Sequence, residues 1–225
     1  MTAPPAVQRP SWVELIRHRA ASDSWAIDGA RPPADGRARA SAVLILLADD
    51  PAGTGPDVVL LERASTMRRH AGQIAFPGGA ADPDDANVTA TAVREAQEEI
   101  GLDPGSVETI GILSAVYVAP SGYLVSPVLA YWRSPHPIRA VDAAEVAAVH
   151  TVALARLAAP EVRFTVRGPS GYVGPAFDVD GLFVWGFTAL VLDHVLRLGG
   201  WERPWNAARH RPIPSSALPP SAIAP

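Results

Sequence analysis

Three glutamates, Glu95, Glu98 and Glu99, lie close together in the chain. If this stretch is helical, their spacing of three and four residues places all three carboxylates on one face. Carboxylates without cysteine or clustered histidine favour a hard divalent ion, Mg²⁺ or Mn²⁺. The alternative is a solvated acidic face, which is the usual fate of a run of like charges.

The sequence predicts that a helix over residues 89–100 carries these glutamates. Good helix formers fill this segment, and Gly101 supplies a C-terminal stop. The N-cap candidates are Asp84, Asp85 and Asn87. Glu95 and Glu99 are like charges four residues apart, which costs about 0.2–0.5 kcal/mol in an isolated helix. The last turn also faces the negative end of the helix dipole. A purely structural helix gains nothing from this arrangement, so a cation is expected to compensate.

The loop before this helix, residues 76–79, reads Phe-Pro-Gly-Gly, and paired glycines allow a backbone to approach a ligand closely. Loop and helix together resemble the Nudix box, Gly-x5-Glu-x7-Arg-Glu-hydrophobic-x-Glu-Glu-x-Gly-hydrophobic. The matching residues are Gly79, Arg94, Glu95, Ala96, Glu98, Glu99, Gly101 and Leu102. The chain departs from the box at Asp85, which stands in place of the first Glu. Eight residues separate Asp85 from Arg94, whereas the box has seven between its first Glu and its Arg. This variant is similar to the coenzyme A branch of the Nudix hydrolases.

A second pattern runs from residue 59 to residue 79 and resembles the signature of coenzyme A pyrophosphatases, Leu-Leu-Thr-x-Arg-(Ser/Ala)-x3-Arg-x3-Gly-x3-Phe-Pro-Gly-Gly. The residues in register are Arg63, Ala64, Arg68, Gly72, Phe76, Pro77, Gly78 and Gly79. Leu61 replaces the Thr of the signature. The basic residues of this stretch could bind phosphate, since Arg does so bidentately. A solvated basic loop is the alternative, and His70 could contact phosphate or be structural.

The resemblance implies an α/β Nudix fold, an α/β/α sandwich with a mixed β-sheet, and the hydrolysis of a diphosphate linkage. It implies coenzyme A or a derivative as the small-molecule substrate, giving 3′,5′-ADP and 4′-phosphopantetheine or its acyl form. Mg²⁺ or Mn²⁺ would be the cofactor, held by Glu95, Glu98 and Glu99. The Gly79 carbonyl is a further candidate ligand.

The resemblance implies catalytic roles for Glu99, Glu145 and Arg94. By its position, Glu145 resembles the Glu that family members carry opposite the Nudix helix, where it could be a further metal ligand or the general base. Either glutamate could accept the proton of the attacking water, and the sequence does not choose between them. For Glu145 the alternative is an exposed carboxylate at a strand end. Arg94 is expected to orient the glutamates by hydrogen bonds. The candidate substrate-binding residues are Arg63, Arg68, His70 and Gly78.

Two other functions remain open. The chain could be a Nudix hydrolase of another nucleoside diphosphate derivative, against which the pattern from Arg63 to Gly79 argues. It could also be a non-catalytic, ligand-sensing Nudix domain. Such domains typically lose the box carboxylates, whereas this chain keeps all three on the predicted helix.

The amino-acid composition excludes several other classes of protein. A length of 225 residues with 48% hydrophobic content suits one domain with a sizeable core. With a net charge of −4, the chain lacks the excess positive charge that is typical of proteins that bind nucleic acid or an anionic membrane. The absence of cysteine excludes disulfides and a cysteine nucleophile. No apolar run is long enough for a membrane span, and the first ten residues lack the apolar core of a signal peptide. A cytoplasmic enzyme is therefore expected, and the resemblance allows a homodimer.

The predicted organisation has three parts: an N-terminal extension with a short helix over residues 1–37, the Nudix domain over 38–202, and a Pro-rich tail over 203–225. The tail is expected to be disordered or draped over the domain. The predicted strands cover residues 41–48, 58–63, 107–118, 123–132, 145–149, 162–166 and 172–179. The predicted helices cover residues 12–19, 89–100, 154–157 and 184–198.

Overall fold

The computed structural model describes residues 9–25, 32–34, 36–50, 53, 55–67, 70–168 and 171–218. A loose N-terminus is predicted over residues 1–10 and a linker over residues 28–38; residues 1–8, 28–31 and 35 of these segments lie outside the described ranges. The described helices are α1 (Ser11–Ala21), α2 (Val88–Ile100), α3 (Leu154–Leu157) and α4 (Gly186–Gly199). Within the same ranges, no helix is long and apolar enough to cross a membrane.

The described strands number twelve and form two sheets. The strands of the main sheet are β1 (Arg39–Asp49), β2 (Pro56–Arg63), β3 (Ile74–Ala75), β4 (Gly78–Ala80), β5 (Val107–Ile112), β6 (Val116–Val118), β7 (Tyr123–Trp132) and β8 (Val146–Ala153). Those of the smaller sheet are β9 (Arg163–Arg167), β10 (Val173–Val179), β11 (Leu182–Val184) and β12 (His210–Pro212).

The main sheet is mixed, because β1 runs parallel to β7 but antiparallel to β2. Its order is β3-β2-β1-β7-β5, with β8 along β2, β4 along β1 and β6 along β7. β1 and β2 pair at one end only, where Leu47 lies opposite Val58. Where they separate, β3 pairs with β2 and β4 pairs with β1. The short strands thus fill the gap between the two longer ones.

Helices cover both faces of this sheet. Side chains alternate between the two faces of a strand. Ile45 and Leu47 of β1 therefore join a core with α1 and α4. Leu44 and Leu46 point the other way and join a core with α2. Because β1 is buried on both faces, its sequence is a continuous apolar run. The predicted α/β/α sandwich with a mixed sheet is confirmed.

The smaller sheet has the order β11-β10-β9-β12. β9 and β10 form the predicted antiparallel hairpin, and β12 runs parallel to β9. Ile213 and Ala217 are buried against Phe164 and Val166 of this sheet. The C-terminal segment is therefore draped over the smaller sheet as far as residue 218. The three-part division of the chain stays a prediction.

Three predicted elements were wrong in their limits. The strand predicted over residues 145–149 runs from Val146 to Ala153 as β8. The strand predicted over residues 107–118 ends at Ile112 and resumes at Val116 as β6. Both pieces pair with β7, and the break lies opposite Pro127, which has no N–H to donate to a neighbouring strand. The last helix begins at Gly186, because residues 182–184 form β11.

Candidate active site

Helix α2 holds the three glutamates in a defined register. Asn87 caps its first turn, since the side-chain oxygen accepts hydrogen bonds from the N–H groups of Thr89 and Ala90, each at 3.0 Å. Gly101 ends the helix in the left-handed conformation, with φ of 70°. The buried residues Ala92, Ala96 and Ile100 pack on the main sheet. Helix packing therefore fixes where the carboxylates lie.

Glu99 is a buried carboxylate that joins α2 to the glycine loop. Its side chain accepts a hydrogen bond from the Gly78 N–H at 2.9 Å, and the residue is only 5% exposed. Burial raises the pKa of Glu99 to about 7. The Gly78 N–H and the charge of Arg63 oppose this rise, whereas Glu95 and Glu145 add to it. Burial is thus the main reason that Glu99 holds its proton more tightly than an exposed glutamate does, and the neighbouring glutamates add to this effect.

Arg94 is bonded to four groups of the site. Its Nε and Nη2 donate to the two carboxylate oxygens of Asp85, each at 3.0 Å. Its Nη1 donates to one oxygen each of Glu95 and Glu98, also at 3.0 Å. Its Nη2 also donates to the Ala80 carbonyl at 3.0 Å. These hydrogen bonds hold the pKa of the Asp85 carboxyl far below its usual range. Arg94 thus links α2 to the loop that precedes it.

Asp85 is therefore expected to act through Arg94. Asp85→Asn replaces one acceptor oxygen by an NH₂ group facing a guanidinium N–H, so one hydrogen bond is lost. We expect activity to fall about 10- to 100-fold, the usual effect of losing a group that orients metal ligands. The measurement is the rate of metal-dependent hydrolysis, with circular dichroism as a check of folding. Asp84→Asn is the matched control, because Asp84 is exposed. Equal activity in both variants would contradict this role for Asp85.

The glycine pair lies in close contact with its neighbours. At Gly78 φ is +155°, and an added Cβ would lie 2.4 Å from the Ala42 carbonyl oxygen and 2.6 Å from the Val43 Cα. At Gly79 an added Cβ would lie 2.4 Å from a carboxylate oxygen of Glu95. The backbone of β4 therefore touches β1 on one side and the Glu95 carboxylate on the other.

Gly78→Ala is expected to destabilise the protein by about 1–3 kcal/mol, because it adds both a strained φ and a backbone clash. Denaturant unfolding measures this change. Gly122→Ala is the control, since Gly122 also has a positive φ, +73°, but its added Cβ would meet nothing within 4 Å. The loss at Gly78 should exceed the loss at Gly122. Equal losses would show that the close contact with β1 is unimportant.

The predicted substrate-binding stretch leaves β2 and returns to it as a closed loop. The Arg63 N–H donates to the Gln73 carbonyl, and the Gly72 N–H donates to the Arg63 carbonyl, each at 3.0 Å. The charge of Arg63 lowers the pKa of the buried Glu99. Its Nε is buried and has no hydrogen-bond partner within the described ranges. His70 is exposed on this loop, whereas Arg68 lies outside the described residues.

Glu145 lies immediately before β8, as an exposed residue. Its carbonyl accepts a hydrogen bond from the Ala64 N–H at 2.8 Å, which places it at the base of the loop. Its charge raises the pKa of both Glu95 and Glu99. The structure therefore brings Glu145 together with the α2 glutamates, although it is remote from them in sequence. Its role as proton acceptor stays a prediction.

A divalent cation fits the chemistry of this site. In the part of the chain that the structure describes, no three acidic or histidine side chains form a preformed ligand cluster. Arg94 donates a hydrogen bond to one oxygen each of Glu95 and Glu98, and the Gly78 N–H donates one to a single oxygen of Glu99. One oxygen of each carboxylate lies outside these hydrogen bonds. Hard oxygen donors with excess negative charge are what Mg²⁺ and Mn²⁺ require.

The fold and the site together define a protein class. The model of the NUDIX domain matches residues 38–167, more than half of the chain. The chain belongs to the NUDIX family and is a hydrolase that acts on pyrophosphate bonds. Enzymes of this family generally use a divalent metal ion and act on small nucleotide derivatives.

Several known proteins are similar to this chain. An uncharacterized Nudix hydrolase, NudL of Shigella boydii serotype 4, is 39% identical over 166 residues, covering 72% of this chain and 83% of that protein. NudL of Escherichia coli O1:K1 is similar to the same extent. The crystal structure of RenU, a Nudix hydrolase from M. smegmatis, matches with a TM-score of 0.53 and 20% identity. It covers 80% of this chain and 99% of RenU, and it supports the fold alone.

Two residues of the site were not predicted from the sequence. The sequence predicts Asp85 as an N-cap candidate and as a departure from the Nudix box, although its place in the box could have indicated a partner for Arg94. No pattern in the sequence indicates the hydrogen bonds of Gln73 to His70 and to the distant Ala217.

Proposed function

We propose that this chain hydrolyses the diphosphate linkage of coenzyme A, or of an acyl or oxidised derivative, to 3′,5′-ADP and a 4′-phosphopantetheine product. The hydrogen bond from the Gly78 N–H to Glu99 carries this proposal. It connects the stretch that resembles the coenzyme A signature to the Nudix helix, which supports a role for both patterns in one site. The proposal includes Mg²⁺ or Mn²⁺ as the cofactor. A cytoplasmic location and a homodimer stay predictions.

Glu95, Glu98 and Glu99 would hold the metal through the carboxylate oxygens that lie outside the hydrogen bonds described above, with the Gly79 carbonyl as a further candidate. A bound divalent ion would offset the charge of the diphosphate and of the departing phosphate. Arg94 would keep Glu95 and Glu98 oriented, because its Nη1 bonds to both carboxylates. Asp85 in turn holds the guanidinium in place through two hydrogen bonds, from Nε and Nη2.

The proton of the attacking water would pass to Glu99 or Glu145. Glu99 has a pKa near neutrality in the metal-free protein, whereas Glu145 is exposed to solvent. Arg63 supplies the positive charge next to Glu99, which would also attract an anionic substrate. No covalent intermediate with the protein is needed, since water can displace the leaving phosphate directly.

The test is to incubate the purified protein with coenzyme A and either Mg²⁺ or Mn²⁺ and to identify the products by mass. We expect 3′,5′-ADP and 4′-phosphopantetheine. A parallel panel contains ADP-ribose, a dinucleoside polyphosphate and a nucleoside triphosphate. Turnover within this panel, with none of coenzyme A, would support the alternative Nudix substrate and overturn the proposal. Metal binding without turnover of any diphosphate would support a ligand-sensing domain.

A further inference from the structure

The C-terminal segment reaches the loop that carries His70. After α4 the chain runs along the smaller sheet as β12 and then turns through a short 3₁₀ helix, Ser215–Ala217. There the Ala217 carbonyl accepts a hydrogen bond from the Gln73 side chain at 2.9 Å. The two residues are 144 positions apart. The loop is thus fastened to β2 by its backbone and to the C-terminal segment by Gln73.

This contact fixes the orientation of the Gln73 amide. A carbonyl oxygen only accepts hydrogen bonds, so the Gln73 atom facing Ala217 must be the nitrogen. The Gln73 oxygen is then the atom that lies 2.8 Å from the Nδ1 of His70. Because an amide oxygen also only accepts, the Nδ1 of His70 must carry a proton. The neutral ring then has its unprotonated nitrogen at Nε2.

We infer that Gln73 is a positioning residue that fixes His70 in the Nδ1–H tautomer, with Ala217 holding the amide in place. Nε2 of neutral His70 then presents a hydrogen-bond acceptor to solvent. It does not donate to a phosphate oxygen. Nε2 of His70 therefore binds a hydrogen-bond donor of the substrate, an N–H or O–H group outside the phosphates. This last step rests on the proposed function, in which the amides and hydroxyl of the pantetheine arm supply such donors.

The tautomer is tested without substrate. Two-bond ¹H–¹⁵N spectra of protein labelled with ¹⁵N-histidine distinguish Nδ1–H from Nε2–H, and His70→Gln assigns the signals. The spectra are recorded at about pH 8.5, well above the ordinary histidine pKa of about 6.5, so that the ring is neutral. We expect Nδ1–H in the unchanged protein and a shift toward Nε2–H in Gln73→Leu. Gln97→Leu, an exposed glutamine on α2, is the control and should leave the His70 signals unchanged. A predominant Nε2–H form in the unchanged protein would overturn the inference.

The contact with Ala217 is tested by Gln73→Glu. A carboxylate still accepts from Nδ1 but cannot donate to the Ala217 carbonyl. We expect the Nδ1–H tautomer to persist, while amide exchange of residues 215–217 becomes faster. Unchanged exchange at these residues would show that Gln73 does not hold the C-terminal segment.

The substrate contact is tested by kinetics on coenzyme A. His70→Ala and Gln73→Leu should each raise KM roughly 3- to 10-fold, the effect of one uncharged hydrogen bond, with kcat nearly unchanged. For ADP-ribose, which has no pantetheine arm, neither substitution should change KM. An equal rise for both substrates, or no rise for coenzyme A, would overturn the substrate part. If coenzyme A is not hydrolysed at all, the proposed function fails, while the tautomer result stands independently.

Discussion

Replacing Glu99 by glutamine is expected to lower the rate of metal-dependent hydrolysis at least about 100-fold, the lower range for loss of a group that handles a proton or a developing charge. The amide oxygen of glutamine can still accept the hydrogen bond from the Gly78 N–H, so the loop should keep its place. What disappears is the negative charge that a divalent ion needs. Steady-state rates with saturating Mg²⁺ or Mn²⁺ measure the effect.

The same substitution should not weaken the fold. Burial raises the pKa of Glu99 to about 7, so the folded, metal-free protein binds a proton here more tightly than the unfolded chain does. Stability therefore falls as pH rises from about 4.5, the ordinary glutamate value, through 7. In the presence of a chelator, Glu99→Gln should have a higher melting temperature than the unchanged protein at pH 8. The difference should disappear near pH 4.5.

Glu161→Gln is the matched control for both measurements, since Glu161 is exposed in the short 3₁₀ helix before β9. It should leave the rate and the melting temperature unchanged. Glu145→Gln gives a second comparison and separates the two candidate proton acceptors. Near-normal turnover by Glu99→Gln would remove Glu99 from both the metal site and the chemistry.

Arg163→Leu should produce the largest loss of stability. Arg163 is only 1% exposed and forms ion pairs with Asp193 and with Glu202, the second at 3.4 Å. Its guanidinium also lies over the rings of Phe177 and Trp205, at 5.5 and 4.6 Å. Removing one partner of a buried ion pair costs about 3–5 kcal/mol, because the other charge is left buried. Urea unfolding monitored by tryptophan fluorescence measures this change.

A comparison with a surface ion pair sharpens this prediction. Arg156→Leu removes a pair with Asp180 in which both side chains are more than half exposed, and it should change stability little. Without Arg163, the Asp193 carboxylate keeps only the half-exposed Arg197 as a partner, at 2.8 Å. The double variant Arg163→Leu, Asp193→Asn should therefore recover part of the loss, since it removes a buried carboxylate that has lost its buried partner. A small loss in Arg163→Leu, or no recovery in the double variant, would contradict the argument.

Features that depend on neighbouring residues were predictable from the sequence. The apolar run of β1, the cap candidates and glutamate spacing of α2, and the stop at Gly101 all follow from local patterns. The resemblance to the Nudix box added the fold and the pyrophosphate chemistry, which periodicity alone would not give. It also selected Glu145, far along the chain, as a partner of the α2 glutamates.

Features that depend on distant contacts were not predictable. Nothing near Arg163 indicates that this charged residue is buried, because its partners Asp193 and Glu202 follow much later in the chain. The hydrogen bond between Gln73 and Ala217 likewise joins two segments without a shared pattern. The break between β5 and β6 depends on Pro127 in the neighbouring strand. Each feature follows from the packing of whole elements.

The way residues 74–80 cross the gap between β1 and β2 has an evolutionary consequence. β3 and β4 pair with opposite long strands, and the Leu44 N–H donates to the Pro77 carbonyl between them at 2.8 Å. The glycines beside the carboxylates thus belong to the body of the sheet, whereas residues 64–67 and 70–73 belong to a loop at the surface, where sequence change is best tolerated. Under the proposed function, in which this loop contacts the substrate, mutations in it would alter substrate preference while the hydrolytic centre is inherited intact. Such a division favours the divergence of one chemistry toward many substrates.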